Sequence, residues 1–301
     1  MVLVAVVIVP AKVGGYGAVF DAASNAFAAK GGATGLTLTP GQILPYASLA
    51  LGSALAAFMY PHTLTGVFAS KSADTIRKNA VLLPAYTLLL GLIALLGYMA
   101  HAANVKVTSP TDVVPALFNT LFPSWFSGFA FAAIGIGALV PAAVMSIGAA
   151  NLFTRNVWKT FINPNIDHPG EAQVAKITSL VVKVGALAFI LFLPTKFALD
   201  LQLLGGLWIL QTFPAVVFGL KTQWFRPSAL LLGWASGIGW GSWVAFNHGQ
   251  GLKPLATLAY GDLHCSFYVG LGAVILNVIV VIVVSAILSV VAPRTTAPAH
   301  S

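Results

Sequence analysis

Long apolar runs recur along the chain, at 43–70, 80–102, 125–158, 174–193, 198–220, 228–246 and 267–291, each closed by a short polar or charged loop. A helix needs roughly 20 apolar residues to cross the hydrocarbon core of a bilayer, so each run predicts a membrane-spanning helix. A shorter run, MVLVAVVIV at 1–9, covers only about half a membrane at roughly 1.5 Å per residue before Pro10 and Lys12. No basic stretch precedes it, as a signal peptide would require, so it reads as the end of a cut helix. Residues 10–41 are expected to form an exposed connection with a short interfacial helix. The expected fold is therefore an all-α membrane protein of about eight transmembrane helices, the first incomplete, in a single domain over 1–301.

Prolines and polar residues inside the runs mark where the chemistry is expected. The run at 43–70 holds Pro45, Gly52 and Pro61, with Tyr60, His62, Thr63 and Thr65 gathered around the last. Pro61 removes a donor from the helix ladder, which predicts a broken helix whose opening is lined by polar side chains. Tyr60, His62 and Thr63 are thus candidate ligand contacts, although a lone His in a span also serves as an interhelical hydrogen-bond partner. The run at 198–220 carries Gly205, Gly206, Gln211, Thr212 and Pro214. It too is expected to break, and Gln211 is either a ligand donor or an interhelical bond.

The central run, 125–158, places Gly135, Ala138, Ala142, Ser146 and Ala149 on one narrow helical face. Pro141 withholds a donor from the Gly137 carbonyl. Two readings stay open: close helix packing through small residues, or a cation site made of backbone oxygen and the Ser146 hydroxyl, since a hard cation takes oxygen ligands. Lys183, inside 174–193, either snorkels to an interface or couples to transport of charge. Between spans, TDVVPALFNTLFPS predicts a short helix over the outer mouth, capped by Thr111 or Asp112. The Gly and Trp residues of 228–246 suggest packing and an interface belt, and the aliphatic run 267–291 is expected to face lipid.

Composition narrows the class. Hydrophobic residues make up 58% of the chain and charged residues 7%, far from the roughly 25% charged of soluble domains. The net charge of +8 is spread over loops rather than gathered into a nucleic-acid site. The single cysteine, Cys265, excludes an internal disulfide and a cysteine metal cluster, and no cofactor is expected. The acids Asp21, Asp74, Asp112, Asp167, Glu171, Asp200 and Asp262 fall mostly in loops, which argues against an intramembrane hydrolytic pair. Lys71, Arg77, Lys78, Arg155, Lys159, Lys221, Arg226 and Arg294 fall on one side of the predicted spans. Lys12, Lys30, Lys106, Lys196 and Lys253 fall on the other. The positive-inside rule makes the first side, and with it the C-terminus, cytoplasmic.

The segment AAVMSIGAANLFTRNVW at 142–158 resembles the signature span of the sodium:solute symporters, whose members share the inverted-repeat bundle seen in the leucine transporter. YPH at 60–62 looks like that family's broken-helix motif, and KSADTIRKN like the loop after it. The resemblance implies that these are spans from the later part of such a bundle, in a partial transporter domain completed by a missing N-terminal segment. It also implies that Ala143 supplies a carbonyl and Ser146 a hydroxyl to a coupling Na+. Ile147 stands where the family has a second hydroxyl, and an aliphatic side chain does not coordinate a hard cation. The stretches PAKVGGYGAVF and LLPAYTLLLGLIALLGYMAHA are similar to bacterial monocarboxylate permeases. The expected function is cation-coupled symport, with sodium or protons, of a small organic anion across the bacterial inner membrane, with Tyr60, His62, Thr63 and Gln211 at the substrate. The alternatives are a membrane fragment that needs a partner for transport, and a membrane-embedded enzyme.

Overall fold

The computed structural model describes residues 1–29, 36–192, 198–247, 253–260 and 263–291. Lys30, Lys196 and Arg294 of the charge count, Asp262 of the acid inventory and residues 31–35 of the first loop lie outside the described residues. Among the described residues seven helical spans are long and apolar enough to cross a membrane, and a bent N-terminal pair raises the number to as many as eight. The chain is thus a multi-pass helical membrane protein. It divides into two compact units, Met1–Thr39 with Thr65–Phe192, and Pro40–Leu64 with Leu193–Ser301.

The first unit contains α1 (Val2–Val13), α2 (Gly15–Ala28), α5 (Ala73–Ala102), α6 (Val113–Leu121), α7 (Ser124–Phe153) and α8 (His168–Phe192), with a π-helical stretch Thr154–Ile162 after α7. Its core is formed by Ala5, Val9, Val19, Leu96, Met99, Leu117 and Phe118, all fully buried. The short helix expected within residues 10–41 is present as α2, whereas residues 10–13, expected to belong to the connection, continue α1. α1 runs on through Pro10, and the chain then bends by 84° into α2, which packs along α5. Gly14 and Gly15 make the bend with φ of 97° and 96°, a region that side chains disfavour. Pro10 cannot donate to the Val6 carbonyl four residues back, and the Tyr16 hydroxyl, returned by the bend, donates to that oxygen at 2.6 Å. Lys12 donates to the Leu121 carbonyl and lies 5.4 Å from the centre of the Phe122 ring, tying α1 to the end of α6.

At the start of α5 the Ser72 hydroxyl accepts from the Thr75 amide at 3.2 Å, an N-cap. The cap expected from Thr111 or Asp112 is not made. A short 3-10 turn, Pro110–Asp112, leads into α6 without a side-chain cap, and the Thr111 hydroxyl pairs instead with Ser109 at 2.7 Å. α6 is held by burial of Leu117 and Phe118 against its neighbours. The phenylalanine outcompetes the cap as the anchoring interaction, because a buried aromatic contributes about 2 kcal/mol and a cap about 1 kcal/mol.

The second unit contains α3 (Pro40–Met59) with the first turn of α4 (Pro61–Phe68), α9 (Ala198–Leu210), a π-helical turn Pro214–Phe218, α10 (Pro227–Asn247) and α11 (Val269–Val291). Between α10 and α11 lies an antiparallel hairpin, β1 (Leu255–Tyr260) and β2 (Leu263–Tyr268), in which Leu255 pairs with Tyr268 and Thr257 with Ser266. The hairpin takes Phe267 and Tyr268, which the hydropathy pattern had assigned to the last span. That span is also not simply lipid-facing. One face of α11 exposes Ile275, Ile279 and Ile282, while the other buries Ala273, Asn277, Val281 and Ser285. α10 brings Gly233, Gly237 and Gly241 against this buried face, so the two backbones approach closely.

Candidate functional site

Tyr60 interrupts the helix between α3 and α4, as the Pro61 donor deficit predicted. Pro61 opens the new helix, where its missing N–H is no loss. The Tyr60 carbonyl accepts from the Thr63 amide at 3.0 Å and from the Leu64 amide at 3.2 Å, which satisfies the break. The Tyr60 and His62 rings stack with centroids 5.3 Å apart and planes 30° apart. Thr63 follows on the same turn, half-buried. The structure therefore gathers three of the predicted contacts at one helix opening.

A second break follows α9. Pro214 withholds a donor from Leu210, and the chain closes two tight turns instead, Gln211 N–H to the Trp208 carbonyl at 3.2 Å and Thr212 N–H to Ile209 at 3.0 Å. Gln211 is only 1% exposed. Its side-chain nitrogen donates to the Leu207 carbonyl at 2.9 Å, while Asn277 of α11 donates to the Gln211 carbonyl at 2.8 Å. The amide is thus placed among α9, α10 and α11, where it faces backbone and Asn277.

Tyr268 joins the two breaks. Fully buried, it donates its hydroxyl to the Leu203 carbonyl at 2.7 Å, and its backbone N–H to the Ser48 hydroxyl at 2.9 Å. A methyl placed on Gly206 would lie 3.0 Å from the Tyr268 hydroxyl and 3.8 Å from that of Tyr60. The Gly205–Gly206 pair thus lets two phenols approach α9 between the breaks. Ser48, Tyr268 and Asn277 were not singled out by sequence. The sequence signals were one amide, Asn277, in an aliphatic run and the Gly205–Gly206 pair, against which Tyr60 and Tyr268 pack.

The candidate cation ligands lie in the other unit. On α7 the Ser146 hydroxyl donates to the Ala143 carbonyl at 2.9 Å, and Ser179 of α8 donates to Ser146 at 3.2 Å. Both serines are buried, at 3% and 8% exposure, whereas Ile147 is 51% exposed. Ala143 O, Ser146 Oγ and Ser179 Oγ are hard donors of the class a sodium ion takes, and the third was not predicted. α7 is continuous across Pro141, and Gly135, Ala138 and Ala142 are exposed. On the small-residue face Ser146 is buried, with Ser179 of α8 against it, and Ala149 is half-buried. Among the described residues no group of three His, Cys, Asp or Glu side chains is placed to hold a metal.

The profile of the Sodium:solute symporter family matches residues 1–226. A monocarboxylate transport permease protein of Rhizobium johnstonii is 63% identical over 293 residues, covering 97% of this chain and 59% of that protein. An uncharacterized symporter of Bacillus subtilis, YodF, is 37% identical over 186 residues, 62% of this chain and 37% of its own length. A high-affinity choline transporter of Caenorhabditis elegans is 38% identical over 105 residues, 33% of this chain and 16% of its own length. The chain thus spans 59% or less of these curated relatives. No solved structure matches.

Proposed function

We propose, from the premise that the chain belongs to the sodium:solute symporter family, that it takes part in cation-coupled import of a small monocarboxylate. The observation that carries the reading is the pair of breaks in one unit, at Tyr60–Pro61 and at Gln211–Pro214. Broken helices with polar groups at the opening are the way such transporters present backbone and side-chain groups to a solute near the midplane. The monocarboxylate is suggested by the name of the Rhizobium relative. On this reading Tyr60, His62 and Thr63 hold the carboxylate, with Gln211 set behind them. Ala143 and Ser146, joined by Ser179, bind the coupling Na+. Occupation of both sites favours one arrangement of the bundle over another, which gives alternating access. The chain acts as a partial transporter domain in the bacterial inner membrane, with a cytoplasmic C-terminus.

Uptake of radiolabelled pyruvate into proteoliposomes, with and without an inward sodium gradient and at two external pH values, tests this directly. Sodium-stimulated, saturable uptake is the expected result. Stimulation by acid pH alone would move the coupling to protons, and absence of uptake by folded protein would sink autonomous transport. The second reading, a membrane component that transports only with a partner chain, draws on the 59% coverage of the Rhizobium relative.

A further inference from the structure

Two adjoining cavities lie between the C-terminal end of α7 and the start of α8. One, of about 230 Å³, is lined by Asn151, Thr154, Arg155, His168 and Glu171. The other, of about 270 Å³, is lined by Ile147, Ala150, Lys176, Ser179 and Lys183. Asn151 and Ala175 border both, so the two form one groove.

The charges in this groove do not cancel. Glu171 is engaged by Lys159 and, at 3.8 Å, by the Arg155 Nε. Glu171 is thus shared by two cations, and among the described residues Lys176 and Lys183 form no ion pair. Thr154, 2% exposed, lines the first cavity with a hydroxyl that has no hydrogen-bond partner among the described residues. A buried hydroxyl in that state is unfavourable by about 1–3 kcal/mol unless something supplies an acceptor. Here too α7 gives way to the π-helical stretch Thr154–Ile162, a widening that recurs at ligand sites.

We propose that this groove holds the phosphodiester headgroup of an anionic membrane phospholipid. Arg155 and Lys176 neutralise the phosphate, the Thr154 hydroxyl donates to one of its oxygens, and Lys183 extends alongside. A free phosphate ion would use only the charged end. The second cavity sets the apolar Ile147 and Ala150 opposite Lys176, Ser179 and Lys183, and on α8 the apolar Leu180 and Val184 beside these lysines are exposed. A cationic groove flanked by exposed apolar side chains of a membrane span matches a headgroup whose acyl chain lies along that span. The assignment does not depend on the transport reading.

The test is lipid retention in nanodiscs of phosphatidylcholine titrated with phosphatidylglycerol, read by native mass spectrometry. The variants are R155Q/K176Q, T154V, E171Q and the charge-matched control K71Q/K78Q, whose exposed side chains lie just before and within the start of α5. Each cation near an anionic headgroup contributes about fivefold, so R155Q/K176Q is expected to raise half-saturation by about 30-fold. T154V is expected to raise it by about fivefold, the effect of one hydrogen bond. E171Q, which releases Lys159 and Arg155 to the phosphate, tightens retention. K71Q/K78Q and 10-millimolar-scale inorganic phosphate leave it unchanged. Wild-type retention by R155Q/K176Q, or an equal loss in K71Q/K78Q, overturns the site. Displacement by inorganic phosphate overturns the lipid as its occupant. Circular dichroism melting confirms that the exposed-residue variants remain folded.

Discussion

α7 and α10 both carry small residues at helical spacing, yet they end in opposite situations. On α10, Gly233, Gly237 and Gly241 are filled by α11 and by Gln211, so that a methyl on Gly237 would collide with Gln211 Oε1 and one on Gly233 with Val281. On α7, Gly135 and Gly137 have nothing near them. The same contrast holds for proline: Pro214 ends α9, whereas α7 passes Pro141 unbroken. What separates the two regions is the facing helix. α11 offers Asn277, whose amide takes the Gln211 carbonyl beside the Pro214 break, and hydrocarbon tolerates an opened backbone only where such a partner exists.

The sharpest way to break this comparison is to fill both stripes. Gly237→Leu forces a side chain into Gln211 and is expected to destabilise the second unit by about 3 kcal/mol, at the upper end for overpacking. Gly135→Leu enters open space and is expected to change stability by about 0.5 kcal/mol or less. Unfolding in mixed micelles by titrated SDS reads both. Equal losses would mean that the stripes are equivalent. Next in size is Asn277→Leu, which keeps the branching at Cγ but replaces the amide with methyl groups and removes the donor to the Gln211 carbonyl beside the break. It is expected to cost about 1–2 kcal/mol, with a local rise in amide exchange at residues 208–216. No change in exchange there would show that the break is held by the tight turns alone.

The breaks were legible where a proline coincides with a cluster of polar residues, at Pro61 and Pro214; the missing donor alone is not enough, since α1 passes Pro10 and α7 passes Pro141 unbroken. The consequences of small residues were not legible, since Gly135 and Gly237 are chemically identical and only the element opposite decides whether they are filled. Asn277 was hidden for a related reason: one amide in VGLGAVILNVIVVIVVSAILSVV leaves open whether it faces a partner helix or a cavity. The α1–α2 bend depended on Tyr16 reaching back to Val6, a contact created by the bend itself. Ser179 met Ser146 only through the pairing of α7 and α8, which spacing within either helix does not reveal. The hairpin was missed because Phe267 and Tyr268 extend an apolar run, and hydropathy alone cannot tell the end of a strand from the start of a span.

The cation site sharpens the comparison from the α7 side. Ser146→Ala removes one of three clustered oxygens, and the sodium concentration for half-maximal uptake is expected to rise about tenfold, the scale on which metal sites respond to a lost supporting group. Ser179→Ala is expected to give about a threefold rise, since one hydrogen bond of about 0.6 kcal/mol is lost. Ile147→Thr restores a hydroxyl next to Ser146 and is expected to lower the half-maximal concentration. If none of the three moves it while pyruvate uptake persists, the Ser146–Ser179 pair is a packing contact between α7 and α8.

The smallest effect is expected at Pro141. Because α7 already continues through it, Pro141→Ala changes no path of the chain and only returns one donor to the Gly137 carbonyl, a net stabilisation of about 0.5–1 kcal/mol. The analogous Pro214→Ala faces a different balance, because there the chain has taken up tight turns and the Asn277 bond in place of the ladder, so restoring one N–H competes with bonds already made. Melting of the two variants side by side therefore separates the regions. A modest gain at 141 with unchanged sodium dependence means that the Gly137 oxygen has no cation to hold. A loss of sodium dependence in Pro141→Ala, with the melting temperature raised, would mean that the bared Gly137 carbonyl, nearly two turns before Ala143, reaches the ion, and that the continuous helix still carries a functional opening.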